Sequence, residues 1–249
     1  MVRGMNLLCL YDIHGNVEAL EAVLADPRAA GPDAVVVGGD TAPGPFTAEA
    51  LDRLAALDAP LHWVRGNGER EVAAAVDATA EPDPEDLAAV TAVRTAAALG
   101  RDRARTLGAQ PLTVTVDDVL FCHATPRADD ELLTRISALE RWAVALQDVD
   151  AALVVAGHTH QQDDRTVGGV RFVNAGSVGL PYEGDGAARW LWLEDGSPEL
   201  RATPYDAAGA GARILASGWP DERSFAAALT DPVDPREITE LFEARATAG

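Results

Sequence analysis

Seven residues of three chemical types stand out in this sequence: Asp12, His14, Asp40, Asn67, His123, His158 and His160. Carboxylate, amide oxygen and imidazole together form a donor set that suits divalent ions such as Mn²⁺, Fe²⁺ and Zn²⁺. Two ions held about 3.5–4 Å apart need roughly four protein ligands each, with one shared. Seven residues with one bridging carboxylate meet that requirement, and Asp12 and Asp40 are the two candidates for the bridge. The histidine census points the same way, because four of the five histidines belong to the set and only His62 is left over.

Taken singly, each of these residues has an ordinary explanation. Asp40 after Gly39 can cap a helix, and Asn67 between glycines can occupy a left-handed turn. His123 can be a hydrogen-bonded core histidine, and His158-Thr159-His160 a surface turn. Their common position argues against coincidence, since every one follows directly on a short apolar run. In open α/β sheets, ligands gather beyond the carboxyl ends of the strands, so five aligned strands would bring all seven side chains to one edge. Gly15, Gly38, Gly39, Gly66 and Gly157 beside them permit sharp turns and close backbone approach.

The elements that must do this positioning are readable. Apolar runs at 7–11, 34–37 and 61–64 alternate with helical patterns at about 16–25 and 47–57, the rhythm of βαβ units and a parallel sheet. Residues 70–107 are Ala-rich and read as a helical insert, interrupted by Glu81-Pro82-Asp83-Pro84. Hairpins are expected at 112–122 around Asp117-Asp118, at 165–173 around Gly168-Gly169, and at 191–203 around Asp195-Gly196. A helix at about 137–147 precedes the run 151–156. From about 206 to 249 the chain reads as short helices packing on the body or forming a cap, with Phe225, Leu229, Ile238, Leu241 and Phe242 facing inward. The expectation is one domain over 1–249.

Composition narrows the functional classes. Forty acidic residues face 20 basic ones, all of them Arg, for a net charge of −20. Such a surface repels nucleic-acid backbones and anionic membranes, so non-specific nucleic-acid binding and a nuclease role are disfavoured. No apolar run reaches the roughly 18–20 residues of a membrane span. Cys9 and Cys122 each lie within an apolar run and are expected as buried reduced thiols, which fits a cytoplasmic protein. Homo-oligomerisation is left open.

With these residues in place, the sequence resembles the calcineurin-like metallophosphoesterase superfamily. The resemblance rests on Asp12-Ile13-His14, Gly39-Asp40, Gly66-Asn67-Gly68-Glu69, His123 and Gly157-His158-Thr159-His160, with further similarity through Asn174-Ala175-Gly176-Ser177-Val178-Gly179. The short spacings and the run Asp12-Ile13-His14-Gly15-Asn16 look most like the small bacterial and archaeal phosphodiesterases, including those similar to dinucleoside tetraphosphate hydrolases. The resemblance implies a four-layer α-β-β-α sandwich of two mixed sheets. It also implies two divalent ions (Mn, Fe, Zn or Ni, with Mn favoured), Asp12, His14 and His160 on one, Asn67, His123 and His158 on the other, and Asp40 bridging. A small phosphoester or nucleotide would then be hydrolysed by metal-activated hydroxide, with Asp40, Asn67 and His123 as the catalytic residues among the ligands. The competing reading is a non-catalytic scaffold of the same fold, as in the retromer small subunit; retention of all seven ligands favours the enzyme.

One departure bears on the chemistry. Many members carry His where this chain has Gly68, and that His helps protonate the leaving oxygen while an acidic residue orients it. Glu69 is therefore expected to have no imidazole to orient. Loss of a general acid typically costs about 10²–10⁴-fold on poor leaving groups and little on good ones. Aryl esters, nucleotide leaving groups and polyphosphate anhydrides are expected over alkyl monoesters, and a serine/threonine protein phosphatase is disfavoured. Arg127 and Asn16 are candidate substrate contacts, Asn16 with helix capping as its alternative; Arg65 and Arg70 are similarly ambiguous.

Overall fold

The computed structural model describes residues 4–248. Ten strands form two five-stranded mixed sheets. The first sheet has β1 (Asn6–Leu10), β2 (Ala34–Val37), β3 (Leu61–Trp63), β9 (Ala188–Glu194) and β10 (Ser197–Thr203) in the order β10-β9-β1-β2-β3. The second has β4 (Thr113–Val116), β5 (Val119–Cys122), β6 (Leu153–Ala156), β7 (Asp163–Val167) and β8 (Val170–Asn174) in the order β4-β5-β6-β8-β7. Strands β1, β2 and β3 run parallel, as do β5, β6 and β8. The chain therefore leaves each of the five ligand-bearing strands in a sense fixed by parallel pairing within its sheet.

The three hairpins form at the expected turns. Both central residues have positive φ in each, at Asp117-Asp118, Gly168-Gly169 and Asp195-Gly196, which matches the twist of the flanking strands. Between the sheets lies a core drawn from both, with Leu7, Cys9 and Val36 on one side and Phe121, Val155 and Val173 on the other. The outer face of the first sheet packs Leu10, Val37 and Trp190 against α1 (Val17–Ala25) and α2 (Thr47–Ala55). The outer face of the second sheet packs Phe172 and Val154 against Trp142 of α6 (Leu139–Leu146). Helix, sheet, sheet and helix thus stack in four layers, as the family resemblance implies. Cys9 and Cys122 are buried and unpaired, and burial pushes both thiols well up.

The expected insert consists of α3 (Asn67–Ala75), α4 (Leu87–Leu99) and α5 (Arg101–Gly108), which share a small core of Val72, Ala92, Ala96, Ala104 and Leu107. The C-terminal segment forms α7 (Ala207–Leu215), α8 (Glu222–Thr230) and α9 (Pro235–Ala248). Leu229 is buried and Phe225 half-buried as expected, but Leu241 is 45% exposed. The correction follows from helical geometry: Thr239 and Phe242, three residues apart, face the body, and Leu241 falls off that stripe. Among the described residues no helix is long and apolar enough to cross a membrane.

Candidate metal centre

Backbone hydrogen bonds continue past the strand ends and tie the ligand loops together. Asp12 N donates to Gly39 O (3.0 Å) and His14 N to Asp40 O (2.9 Å), joining the loops after β1 and β2. Gly157 N donates to His123 O (2.8 Å), joining those after β5 and β6. The two sheets are laced at the same edge by Val178 N to Tyr11 O (2.9 Å) and Gly179 N to Asp12 O (3.0 Å). The segment that follows β8 supplies more fasteners: Asn174 Nδ2 donates to Gly157 O (2.6 Å) and Ser177 Oγ to Asp12 O (2.7 Å). The Asn174–Gly179 similarity thus has a structural cause, since it holds the Asp12 and His158 loops in place.

Five of the seven candidate ligands, Asp12, His14, Asp40, His158 and His160, have positive φ, which is uncommon for residues with a Cβ. A fold that maintains five such conformations at one edge over-determines them by packing and hydrogen bonds. The result is two groups whose ligand atoms converge, Asp12 with His14 and His160, and Asp40 with His123 and His158. Asn67 lines the same cleft, which also contains His14, Asp40, His158 and His160.

The hydrogen bonds around these side chains leave chosen atoms free. Nδ1 of His14 faces Pro43 O (3.1 Å), Nδ1 of His123 faces Gly38 O (3.0 Å), and Nδ1 of His160 faces Leu180 O (2.7 Å). A carbonyl can only accept, so each Nδ1 carries the proton and each Nε2 is available to a cation. Two such nitrogens, Nε2 of His14 and of His160, stand 3.2 Å apart. Two lone pairs at that distance require a positive charge nearby. Asp12 Oδ1, Asn67 Oδ1, His123 Nε2 and His158 Nε2 are buried without any hydrogen-bond partner. Unpartnered buried polar atoms are costly, and their convergence identifies a cation site.

The carboxylates are divided in the same way. Asp12 Oδ2 accepts from His158 N (2.9 Å) and Asp40 Oδ1 from Gly68 N (2.8 Å), which leaves one oxygen of each for a cation. Asp40 Oδ2 lies 3.9 Å from His14 Nε2 in one group and 3.5 Å from His123 Nε2 in the other. Asp12 Oδ1 lies 3.2 Å from His160 Nε2 and 3.8 Å from His123 Nε2. Asp40 therefore offers Oδ2 alone to a cation, because the backbone occupies Oδ1. Electrostatics agree with a cation centre. Burial opposes a charge on His123, yet Asp40 and Asp12 push its pKa up to about 10. Burial and the neighbouring His123 bring His158 down to about 4, and burial with His160 lowers His14, so both offer neutral nitrogens.

Glu69 has a role the sequence did not disclose. Its buried carboxylate accepts from Asp40 N (2.8 Å), Ala42 N (3.0 Å) and Gly66 N (2.9 Å), fastening the Asp40 loop to the Asn67 turn. An acidic residue three positions after Gly66, where it can accept from the N-cap N–H of α3, is the local signal for it. Position 68 also has a steric reason to be glycine, since a Cβ there would stand 2.1 Å from Ala42 O and 2.7 Å from Pro43 Cδ. The Asp40–Pro43 loop fills the space that an imidazole from residue 68 would need.

The structure does not bring the two candidate substrate contacts to the cleft. Asn16 is buried, accepts from Ala19 N (3.1 Å) as the cap of α1, and donates to Gly179 O (2.8 Å) and to the Tyr205 hydroxyl (3.1 Å). Arg127 donates to Glu131 (2.8 Å from Nε) and lies outside the cleft lining. Arg65 and Arg70 both pair with the buried Asp129. His62, the remaining histidine, sits within β3. The cleft above the ligands, of about 520 Å³, is walled instead by Leu87 of α4, Leu180, Tyr182, Trp219, Phe225 of α8 and Arg245 of α9. Tyr182 stacks on His160 with ring centroids 4.9 Å apart. Apart from Phe225, expected to face inward, these carry no sequence signal, because Leu, Trp and Arg are ordinary residues until the fold places them.

Solved structures with this fold include a metallophosphoesterase from Sphaerobacter thermophilus (24% identity, TM-score 0.73, covering 92% of this chain and all of that one). A hypothetical protein from Pyrococcus horikoshii is similar over 92% of this chain and 99% of its own (17% identity, TM-score 0.75). A cold-active protein-tyrosine phosphatase from a Shewanella species matches over 79% and 80% of the two chains (18% identity, TM-score 0.51). No curated protein matches the sequence. The calcineurin-like phosphoesterase superfamily domain matches residues 5–193, which contain all seven candidate ligands. The chain belongs to the calcineurin-like phosphoesterase superfamily and is a metal-dependent phosphoesterase.

Proposed function

We propose that the protein is a dinuclear hydrolase of phosphodiesters or nucleoside polyphosphates with good leaving groups. One observation carries this reading: Asp12 Oδ1, Asn67 Oδ1, His123 Nε2 and His158 Nε2 are all buried and unpartnered at one edge. Asp12, His14 and His160 would hold one divalent ion, Asn67, His123 and His158 the other, and Asp40 Oδ2 would be shared. The pair would supply charge stabilisation for the phosphoryl group and an activated water at neutral pH. Mn²⁺ is favoured, and Fe²⁺, Zn²⁺ and Ni²⁺ suit the same donors.

The chain's own contribution is rigidity. Backbone carbonyls hold three imidazoles in the protonation state that presents Nε2, and Glu69 keeps Asp40 and Asn67 in register. Such orientation of ligands by a second layer of hydrogen bonds is commonly worth 10–100-fold in metal affinity or activity. Since position 68 has no room for a general acid, leaving groups that depart without protonation are favoured.

Metal analysis of the purified chain, with assays on an aryl phosphodiester, an aryl phosphomonoester and diadenosine tetraphosphate under Mn²⁺, tests the proposal. Two ions per chain are expected. Asp40→Asn and His123→Ala are each expected to lower turnover by at least about 10²–10³-fold, the scale of losing one preorganised charge-stabilising group. Unchanged turnover in either variant, or glycerol phosphate hydrolysed as fast as the aryl diester, would sink it.

A further inference from the structure

The matched family domain ends at residue 193, and the wall opposite the ligand edge comes partly from beyond it. Trp219, Phe225 and Arg245 belong to the last 43 residues, 207–249, and Leu87 faces the same cleft from α4. The cleft therefore combines an apolar and aromatic wall with one guanidinium and the carboxylates of Glu71 and Asp221. Among the described residues that line it, Arg245 is the only arginine or lysine.

The isolation of Arg245 is informative in so acidic a protein. Fifteen arginines pair with carboxylates. Among the described residues, Arg94, Arg223, Arg236 and Arg245 have no such partner, and of these only Arg245 reaches the cleft. An arginine without a protein anion, in a cleft with a metal edge, is available to an anion of the ligand, and its planar fork matches phosphate oxygens.

Its helix is fixed independently of any ligand. Thr239 Oγ1 donates to Gln161 Oε1 (2.7 Å), and Gln161 Nε2 donates to Pro235 O (2.8 Å). Glu243 accepts from Thr134 Oγ1 (2.8 Å), Ser137 Oγ (2.5 Å) and Arg141 Nη1 (2.8 Å). Phe242 meets the edge of Tyr182, which in turn stacks on His160. Phe242 and Arg245, three residues apart, share a face of α9 one turn beyond the buried Thr239. The anchoring of Thr239 and Phe242 thus directs Arg245 toward the ligand edge.

We propose that Arg245 is a specificity-determining residue that binds a second phosphate of the substrate, separate from the one held at the metal edge, while Trp219, Phe225 and Leu87 receive its base. The substrate class so selected is a nucleoside polyphosphate rather than a diester with uncharged tails. This rests on the proposed phosphoester site. Calorimetry on the Mn²⁺-loaded full-length chain decides it, with a methylene-bridged ATP analogue and inorganic phosphate as probes. Arg245→Gln is expected to weaken the analogue roughly 10–100-fold, the scale of a charge-assisted pair, and to leave inorganic phosphate within about twofold. Arg245→Lys should restore part of the loss, with melting temperature unchanged in both.

No binding of the analogue to the unaltered protein, equal analogue affinity in Arg245→Gln, or equal losses for both probes would overturn the inference. The two proposals fail separately. Arg245-dependent binding without turnover of any ester removes the hydrolase reading alone. Turnover with analogue binding indifferent to Arg245 removes the specificity role alone.

Discussion

Across the cleft, two walls are made by different means. Asp12, His14, Asp40, His123, His158 and His160 stand beyond the ends of parallel-paired strands, on loops held by backbone hydrogen bonds and positive-φ residues, and Asn67 opens α3 just beyond a fifth such strand. Leu87, Trp219, Phe225 and Arg245 come from the helical insert and the C-terminal segment, which are held by side-chain packing and by Glu243 and Gln161. The first wall ties the backbone that carries its donors, as metal coordination demands. The second sets shape and charge, which tolerate change. Chemistry should therefore be robust to substitutions in the helices and fragile to substitutions in the loops, while substrate preference should behave in the opposite way.

The largest test of that contrast is Glu69, which touches no cleft yet fastens two ligand loops. Removing its carboxylate in Glu69→Ala leaves three buried N–H groups without an acceptor, a loss of at least about 3 kcal/mol. In a chain of this size that corresponds to a fall of roughly 6–12 °C in melting temperature. Metal stoichiometry should fall with it, whereas Glu69→Gln, which keeps an acceptor oxygen, should lose less of both. Calorimetric melting with metal analysis checks this, and an alanine variant that keeps two ions and its stability would erase the distinction between the walls.

How far each wall could be read from sequence follows from the same physics. Strands announce themselves by apolar runs and turns by Gly and Asp pairs, so the convergence of the candidate ligands, which follow on those runs, is legible along with the hairpins and the two-sheet plan. Leu241 was misplaced because α9 buries a narrow stripe through Thr239 and Phe242, and apolarity alone does not give the phase of a helix. Asn16 and Arg127 neighbour candidate ligands in sequence, yet one caps α1 and the other pairs with Glu131. The fastening role of Glu69 and the cleft position of Arg245 are not legible in the sequence, because both acquire meaning from neighbours distant in the chain.

Position 68 gives a smaller test. If the family histidine were missing by drift alone, Gly68→His would improve turnover of alkyl monoesters. The Asp40–Pro43 loop instead leaves a Cβ only 2.1 Å from Ala42 O, and backbone is poorly able to yield. The expected outcome is a loss of about 1–3 kcal/mol from overpacking, with no gain on glycerol phosphate. Improved alkyl monoester turnover at undiminished stability would show that the loop can move and that the ligand wall is less rigid than its hydrogen bonds imply.

The smallest expected effect belongs to Arg127, four residues after His123 in sequence and outside the cleft in space. Its guanidinium is held by Glu131 on an exposed surface, where an ion pair contributes about 0–1 kcal/mol. Arg127→Ala should therefore leave kcat/KM for diadenosine tetraphosphate within about twofold, since an interaction absent from the bound complex cannot discriminate substrates. Steady-state assays of Arg127→Ala beside Arg245→Gln make the comparison direct, because both remove one positive charge and alter the overall field equally. A loss at 127 matching that at 245 would mean that net charge, rather than the placement of α9, governs anion selection.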